Sequence, residues 1–326
     1  MPNLETKYMG MSLKNPIIAA SSGLTKSAEK IKQCEDAGAG AVVVKSLFEE
    51  VLAQEDWSAG GAESMHPEAY EYVRSELKMQ YAPNEYCDII SDAKSRVKIP
   101  VIASINCKSA KWWPDFAKKI ESAGADAIEL NVFKTAVDTD TDGIVLEKLY
   151  YDILDEVKSR VKIPIAMKIG NSFSSIPGFV SQLSKRGLDA VVMFNRFAEP
   201  DIDIDNLKLK TTFTFSHPDE LNRVLRWTAI LAGRIKSDIS ATTGIHNAKG
   251  VIKALLAGAS TVQLASILYK KGVDQISIML KELEEWMTVQ KFKKIKDFKG
   301  RLTFSHSDDP EVYLRTQFME KIRGIE

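Results

Sequence analysis

Cysteine is scarce in this chain. The three that occur, Cys34, Cys87 and Cys107, are too scattered for a disulfide framework, and no two have zinc-ligand spacing, so reduced thiols are expected. The four histidines, His66, His217, His246 and His306, are equally dispersed, and no metal site is expected. An excess of either charge is missing too. Lys and Arg number 44, as do Asp and Glu, and no basic stripe is interleaved with aromatics, which argues against a nucleic-acid partner. Nor is there a long apolar run: the most apolar stretch, 251–269, is broken by Lys253, Gly258 and Gln263, and residues 1–15 have no apolar signal core. The expectation is a cytoplasmic protein that neither enters the membrane nor is exported.

What the chain does have is a rhythm of short apolar runs, each ending on a polar residue. They span 16–22, 41–46, 100–106, 127–133, 164–170, 190–195, 238–244 and 261–266. Helical spacing fills the intervals, over 27–37, 83–97, 114–123, 144–161, 176–185, 218–234, 247–257 and 274–289. Buried strands alternating with helices, eight times over, predict an α/β protein, a (β/α)8 TIM barrel. At 326 residues the chain is longer than a bare barrel of about 250, so one domain over 1–326 with insertions fits best. A repeat agrees with this: Ser-Arg-Val-Lys-Ile-Pro occurs at 95–100 and 159–164, and Ala-Gly-Ala marks helix-to-strand turns at 37–39, 123–125 and 257–259. Two stretches are surplus. Residues 47–81 suit a loop and helix over the pocket, and 201–216 alternates like a hairpin, a further wall or a subunit contact.

Active sites of such barrels form at the carboxyl ends of the strands. The polar terminators Ser22, Lys45, Asn106, Asn131, Lys168, Asn195, Thr243 and Ser266 therefore form a candidate ring.

The ordered pieces Leu13-Lys14-Asn15-Pro16, Ala20-Ser21-Ser22-Gly23, Val44-Lys45-Ser46, Ile128-Glu129-Leu130-Asn131, Met167-Lys168, Phe194-Asn195, Thr243-Gly244-Ile245 and the run 254–263 resemble the dihydroorotate dehydrogenase family. These are FMN-dependent barrels that oxidise dihydroorotate to orotate in pyrimidine biosynthesis. The resemblance covers most of the chain. It implies FMN as cofactor, with Ser22, Lys45, Ser46, Asn131, Lys168, Thr243, Gly244, Ala265 and Ser266 as its contacts. Thr243-Gly244 and Ala265-Ser266 would grip the phosphate, conservative departures from the family's paired glycines and Gly-Thr. Lys168 matches the lysine set against the flavin's pyrimidine edge, where a fixed ammonium stabilises the negative charge of reduction. Lys45, Met65, His66, Asn131 and Asn195 fall where the family holds substrate. Homodimers are common among soluble relatives, and the electron acceptor stays open.

Two family motifs are altered. The Ser-Cys-Pro-Asn type sequence, whose cysteine or serine takes the substrate proton, appears as Asn131-Val132-Phe133-Lys134-Thr135-Ala136, which puts Lys134, or Thr135 beside it, in the place of the base. The Asn-Ser-Met-Gly-Leu type loop appears as Glu63-Ser64-Met65-His66-Pro67. Cys107 reads as a packing residue. The altered base, with Phe194-Asn195-Arg196-Phe197, Pro200-Asp201-Ile202-Asp203 and Leu225-Arg226-Trp227, resembles a dihydroorotate dehydrogenase-like branch that lacks the catalytic cysteine. Two alternatives remain: a flavoprotein of this fold with another substrate or no turnover, and a lyase using Lys168 as a Schiff base.

Overall fold

The computed structural model describes residues 1–48, 83–107, 113–196, 199–212 and 215–314. Beyond Phe48, the expected covering loop at 47–81 lies outside the described residues. The chain opens on a short antiparallel hairpin, β1 (Thr6–Tyr8) and β2 (Met11–Leu13), in a stretch for which the sequence predicts no element.

A closed parallel barrel follows, built from β3 (Ile17–Ala19), β4 (Ala41–Val43), β6 (Val101–Cys107), β7 (Ala127–Val132), β8 (Ile165–Ile169), β9 (Ala190–Met193), β12 (Asp238–Thr242) and β13 (Thr261–Leu264). Pairing of β13 with β3 closes the ring. The second barrel strand bends after Val43 and resumes as β5 (Leu47–Phe48), again against β6. The helices are α1 (Ala28–Asp36), α2 (Pro83–Arg96), α3 (Trp113–Ser122), α4 (Gly143–Arg160), α5 (Ile176–Lys185), α6 (Leu221–Leu231), α7 (Ala248–Leu256) and α9 (Gln275–Val289). Between β13 and α9 an extra turn of helix, α8 (Ser266–Lys271), appears where the sequence reads as loop. The surplus hairpin is present as β10 (Glu199–Asp203) and β11 (Lys208–Thr212), starting two residues earlier than its alternation predicts.

Local chemistry explains the elements. The strands are buried on both faces and so carry continuous Ala, Val and Ile rather than alternation. Each helix lays an apolar stripe on them: α5 buries Ile176, Phe179, Val180 and Leu183, the i, i+3, i+4, i+7 pattern, each side chain contributing about 1.5–3 kcal/mol. Side-chain caps start the helices, with Ser27 accepting from Lys30 N at 3.4 Å, Ser175 from Gly178 N at 3.3 Å and Asn247 from Gly250 N at 3.0 Å. The glycines of the three Ala-Gly-Ala turns have φ of +102°, +91° and +107°, the left-handed cap that ends each helix.

The six-residue repeat also has a repeated partner. Glu35 Oε1 accepts from Lys98 N and Ile99 N at 2.7 and 3.2 Å, and Glu121 Oε1 from Lys162 N and Ile163 N at 2.8 and 3.1 Å. In both copies a glutamate at the end of one helix satisfies the turn that leads into the barrel strand after the next. Inside the barrel, Ile18, Val43, Ile102, Ala127, Ala166 and Val192 form a core separate from the helix layer, and Tyr8, Met9 and Leu13 of the first hairpin pack into it as a plug at the amino end.

Candidate active site

Side chains alternate along a strand, so the interior residues Ala127 on β7 and Ala166 on β8 place Glu129, Asn131 and Lys168 on the inward face as well. Register aligns Asn106 with Asn131, and Asn131 with Lys168, across three neighbouring strands at the carboxyl end. The amide of Asn195, two residues beyond the end of β9, donates to Asn131 Oδ1. The Asn195 Oδ1 in turn accepts from Arg196 N at 2.9 Å. Lys168 is 9% exposed. Its ammonium lies 4.0 Å from Glu129 Oε1, while Glu129 Oε2 accepts from Gln263 Nε2 at 2.6 Å. Asn131, Lys168 and Asn195 thus stand at the same end of the barrel. Glu129 and Gln263 were not singled out for any role. Their signal is a fully buried charged side chain and a fully buried amide in strands made mostly of apolar residues.

Lys45 and Ser46 follow β4. The Lys45 N–H donates to Thr25 O at 3.2 Å, and its side chain is half-buried. Ser46 Oγ is engaged with Ser104 Oγ at 2.7 Å and Ser21 Oγ at 3.0 Å, a hydroxyl chain beneath the ends of three strands that the sequence reading did not find. Tyr86 OH fixes its far end through Ser104 O at 2.8 Å. Ser22 Oγ caps the following turn from Leu24 N at 3.2 Å.

At the ends of β12 and β13 the backbone is unusual. Thr243 and Gly244 both have φ of +78°. A β-branched residue in this region costs on the order of 1–3 kcal/mol, and Thr243 is held there by its hydroxyl donating to Phe194 O at 3.0 Å. At Gly244 a Cβ would sit 2.4 Å from Leu221 N, so only glycine fits. Among the described residues, the backbone N–H groups of Gly244 and Ser266 have no hydrogen-bond partner. Ser266 Oγ accepts from Ser216 N at 3.1 Å, and Ser216 Oγ pairs with His246 Nε2 at 3.0 Å. His246 is held below the ordinary histidine value, first by burial and then by the Lys270 ammonium.

Lys134 and Thr135 lie in the loop after β7, and both side chains are exposed. Met65 and His66 lie outside the described residues, as does the side chain of Cys107. Cys34 and Cys87 are free thiols, and burial pushes Cys34 up to about 11. Among the described residues no cluster of His, Cys, Asp and Glu could hold a metal, and no helix is long and apolar enough to cross a membrane.

The dihydroorotate dehydrogenase family model matches residues 65–287. The chain belongs to the dihydroorotate dehydrogenase family. It is 29% identical over 314 residues to the catalytic subunit of dihydroorotate dehydrogenase B (NAD(+)) of Thermoplasma volcanium, covering 92% of this chain and 98% of the relative. Similarity to the same subunit of Thermoplasma acidophilum is 27% over 314 residues, covering 92% and 99%, and to that of Methanocaldococcus jannaschii 26% over 288 residues, covering 83% and 89%. As a member of the dihydroorotate dehydrogenase family the chain is an oxidoreductase acting on CH–CH groups.

Proposed function

We propose that this protein is an FMN-dependent dehydrogenase that oxidises dihydroorotate, or a close relative of it, with an altered proton acceptor. The observation that carries the reading is the buried Lys168, aligned with Asn131 and Asn195 at the carboxyl end of the barrel. The donor set fits FMN. Two free backbone N–H groups stand at the ends of adjacent strands, Gly244 leaves no room for a side chain, and Thr243 holds a strained backbone in place, as a phosphate cradle requires. No Gly-x-Gly-x-x-Gly turn follows a strand, which favours a mononucleotide over a dinucleotide.

In this reading Thr243, Gly244, Ala265 and Ser266 hold the phosphate, and Ser22, Lys45, Ser46, Asn131 and Lys168 line the ring's place. The Ser46 and Ser22 hydroxyls are already engaged within the protein, so they act by shaping the floor. When bound, FMN supplies a two-electron acceptor for the substrate hydride. Lys168 stabilises negative charge from a site that is largely closed to water, where a fixed cation acts more strongly than in bulk solvent. Asn131 and Asn195, bonded to each other, orient the substrate along with Lys45, Met65 and His66. The substrate proton goes to the neutral amine of Lys134, or to Thr135 Oγ1 as that exposed hydroxyl gives its own proton to solvent, the groups that stand in the place of the family cysteine.

Glu129 bears on the Schiff-base alternative. Lys168 Nζ lies 4.0 Å from Glu129 Oε1 as one end of an ion pair, whereas a Schiff base needs an unpaired amine. The relatives' names, catalytic subunits of an NAD(+)-type enzyme, favour a second protein as the onward electron acceptor. A homodimer is supported by the apolar face of the β10–β11 hairpin, where the paired Ile202 and Leu209 are 62% and 80% exposed.

Anaerobic titration of the flavin-loaded protein with dihydroorotate tests the function. A free lysine side chain titrates near about 10.4, so a lysine base works through a minor neutral form at pH 7. Slow bleaching of the flavin is expected, faster toward alkaline pH and collapsing in Lys134→Met. Fast bleaching at neutral pH that survives Lys134→Met would exclude Lys134, and no bleaching at any pH would reject dihydroorotate. Colourless protein that fails to bind added FMN would reject the cofactor.

A further inference from the structure

Beneath Lys168 lies a carboxylate with no assigned role. Glu129 is 1% exposed, one inward position nearer the amino end than Asn131 on the same strand. Its Oε2 accepts from Gln263 Nε2 at 2.6 Å, and Gln263 stands on β13, on the far side of the ring from β7, so the carboxylate is clamped across the barrel interior. Its Oε1 has no hydrogen bond among the described residues and lies 4.0 Å from Lys168 Nζ. The negative charge is felt further down as well. The Tyr8 phenol is pushed well above its ordinary value by burial, then by Glu129 and Asp238.

A buried carboxylate is costly unless it is paired, and a buried pair is sustained only by well-placed partners. The other interior carboxylate, Asp238, has partners of its own at the amino end, with Met9 N at 2.8 Å and Ser260 Oγ at 2.6 Å. Among the described residues Lys168 is the one cation within ion-pair distance of Glu129.

We propose that Glu129 is a positioning residue for Lys168. It draws the ammonium toward the barrel interior and offsets its charge, so that the pocket floor presents one end of an ion pair rather than a free cation. The effect on a bound flavin rests on reading Lys168 as an FMN contact, whereas the pairing itself does not. Removing the carboxylate leaves a full positive charge under the pocket and favours the reduced, more negative cofactor. Removing the lysine acts in the opposite direction, and removing both restores the balance.

The test compares Glu129→Gln, Lys168→Met and the double variant with the parent. The first measurement is the thermal midpoint with FMN removed. Lys168→Met strands the carboxylate and lowers the midpoint, and adding Glu129→Gln recovers most of that loss; additive losses in the double variant would overturn the pairing. The second measurement is the ratio of dissociation constants for oxidised and reduced FMN. Glu129→Gln should shift it about tenfold toward reduced FMN, a rise of about 30 mV for a two-electron couple. Lys168→Met should shift it the other way, and the double variant should return near the parent. A ratio that responds to Lys168→Met but not to Glu129→Gln overturns the proposal. If neither variant moves the ratio, the cofactor contact is wrong, and the midpoints alone decide whether the pair exists. Should Glu129→Gln fail to fold, Glu129→Asp, which withdraws the charge from Lys168, is expected to shift the ratio in the same direction by less than tenfold, and an unchanged ratio again overturns the proposal.

Discussion

Two of the site's residues owe their behaviour to neighbours far away in sequence. His246 meets Ser216 Oγ at 3.0 Å, and Lys270 donates to Ser216 O at 3.2 Å, so the imidazole shares one serine with a cation. Burial and that ammonium lower its proton affinity, whereas the Ser216 contact and Glu220 act the other way. Because the unfolded chain binds this proton more readily than the folded one, the contribution of His246 to stability is complete above about pH 6.5 and is lost as pH falls below it. We expect the His246 ring resonance to titrate below a free histidine. Urea midpoints should fall between pH 7 and pH 5.5 in the parent and fall less in His246→Gln. Equal slopes in the two proteins would remove His246 from the effect. Lys168 shows the same dependence on distant residues: its position on β8 is a property of the sequence, but its partner Glu129 is brought to it by the pairing of β7 with β8.

Among the elements, the β10–β11 hairpin has the clearest division of faces. Asp201 and Lys210 are paired at 3.1 Å on one face, while Ile202 opposite Leu209 forms the other. Near the turn, Ile204 and Leu207 are exposed as well. Cross-strand charges support the strand pairing, so the apolar face is left over for a partner, and a second copy of this chain is the occupant in the homodimer reading. Replacing both Ile202 and Leu209 with Asp leaves the charged face and the register intact. The expected outcome is a monomer by light scattering, against a dimer for the parent if the proposed homodimer uses this face. An unchanged mass would move the subunit contact elsewhere.

At the scale of the whole molecule, the barrel is closed at its amino end by the first hairpin. Tyr8 is fully buried among residues of several strands, beside Ile18, Val43 and Ile102. Truncating such a side chain removes its burial and leaves a cavity that the closed ring cannot collapse to fill. Tyr8→Ala should therefore cost about 3–5 kcal/mol in urea unfolding, with the FMN binding we propose for the opposite end of the barrel kept under native conditions. A loss below about 1 kcal/mol would show that the hairpin rests on the barrel without filling it. The end of the described chain braces the same face, with Gly300 N and Leu302 N donating to Leu255 O and Leu256 O, both at 2.9 Å, and Phe304 N donating to Ala229 O at 2.9 Å.

The alternation of apolar runs with helical spacing determined the barrel, because a strand buried on both faces and an amphipathic helix write different periods into the chain. Helix ends were legible for the same local reason, since Ser27, Asn247 and the Ala-Gly-Ala turns act within a few residues of themselves. Lys168, Asn131 and Asn195 could be placed at one end of the barrel because polar residues terminated the runs. The first hairpin was not legible: its strands are three residues each, and its apolar side chains acquire meaning only inside a ring that does not exist until the barrel closes. Nor could Glu129 be distinguished from an isolated charge in a strand. Its bond to Gln263 joins residues 134 positions apart across the interior, and only the closure of the ring brings the two together.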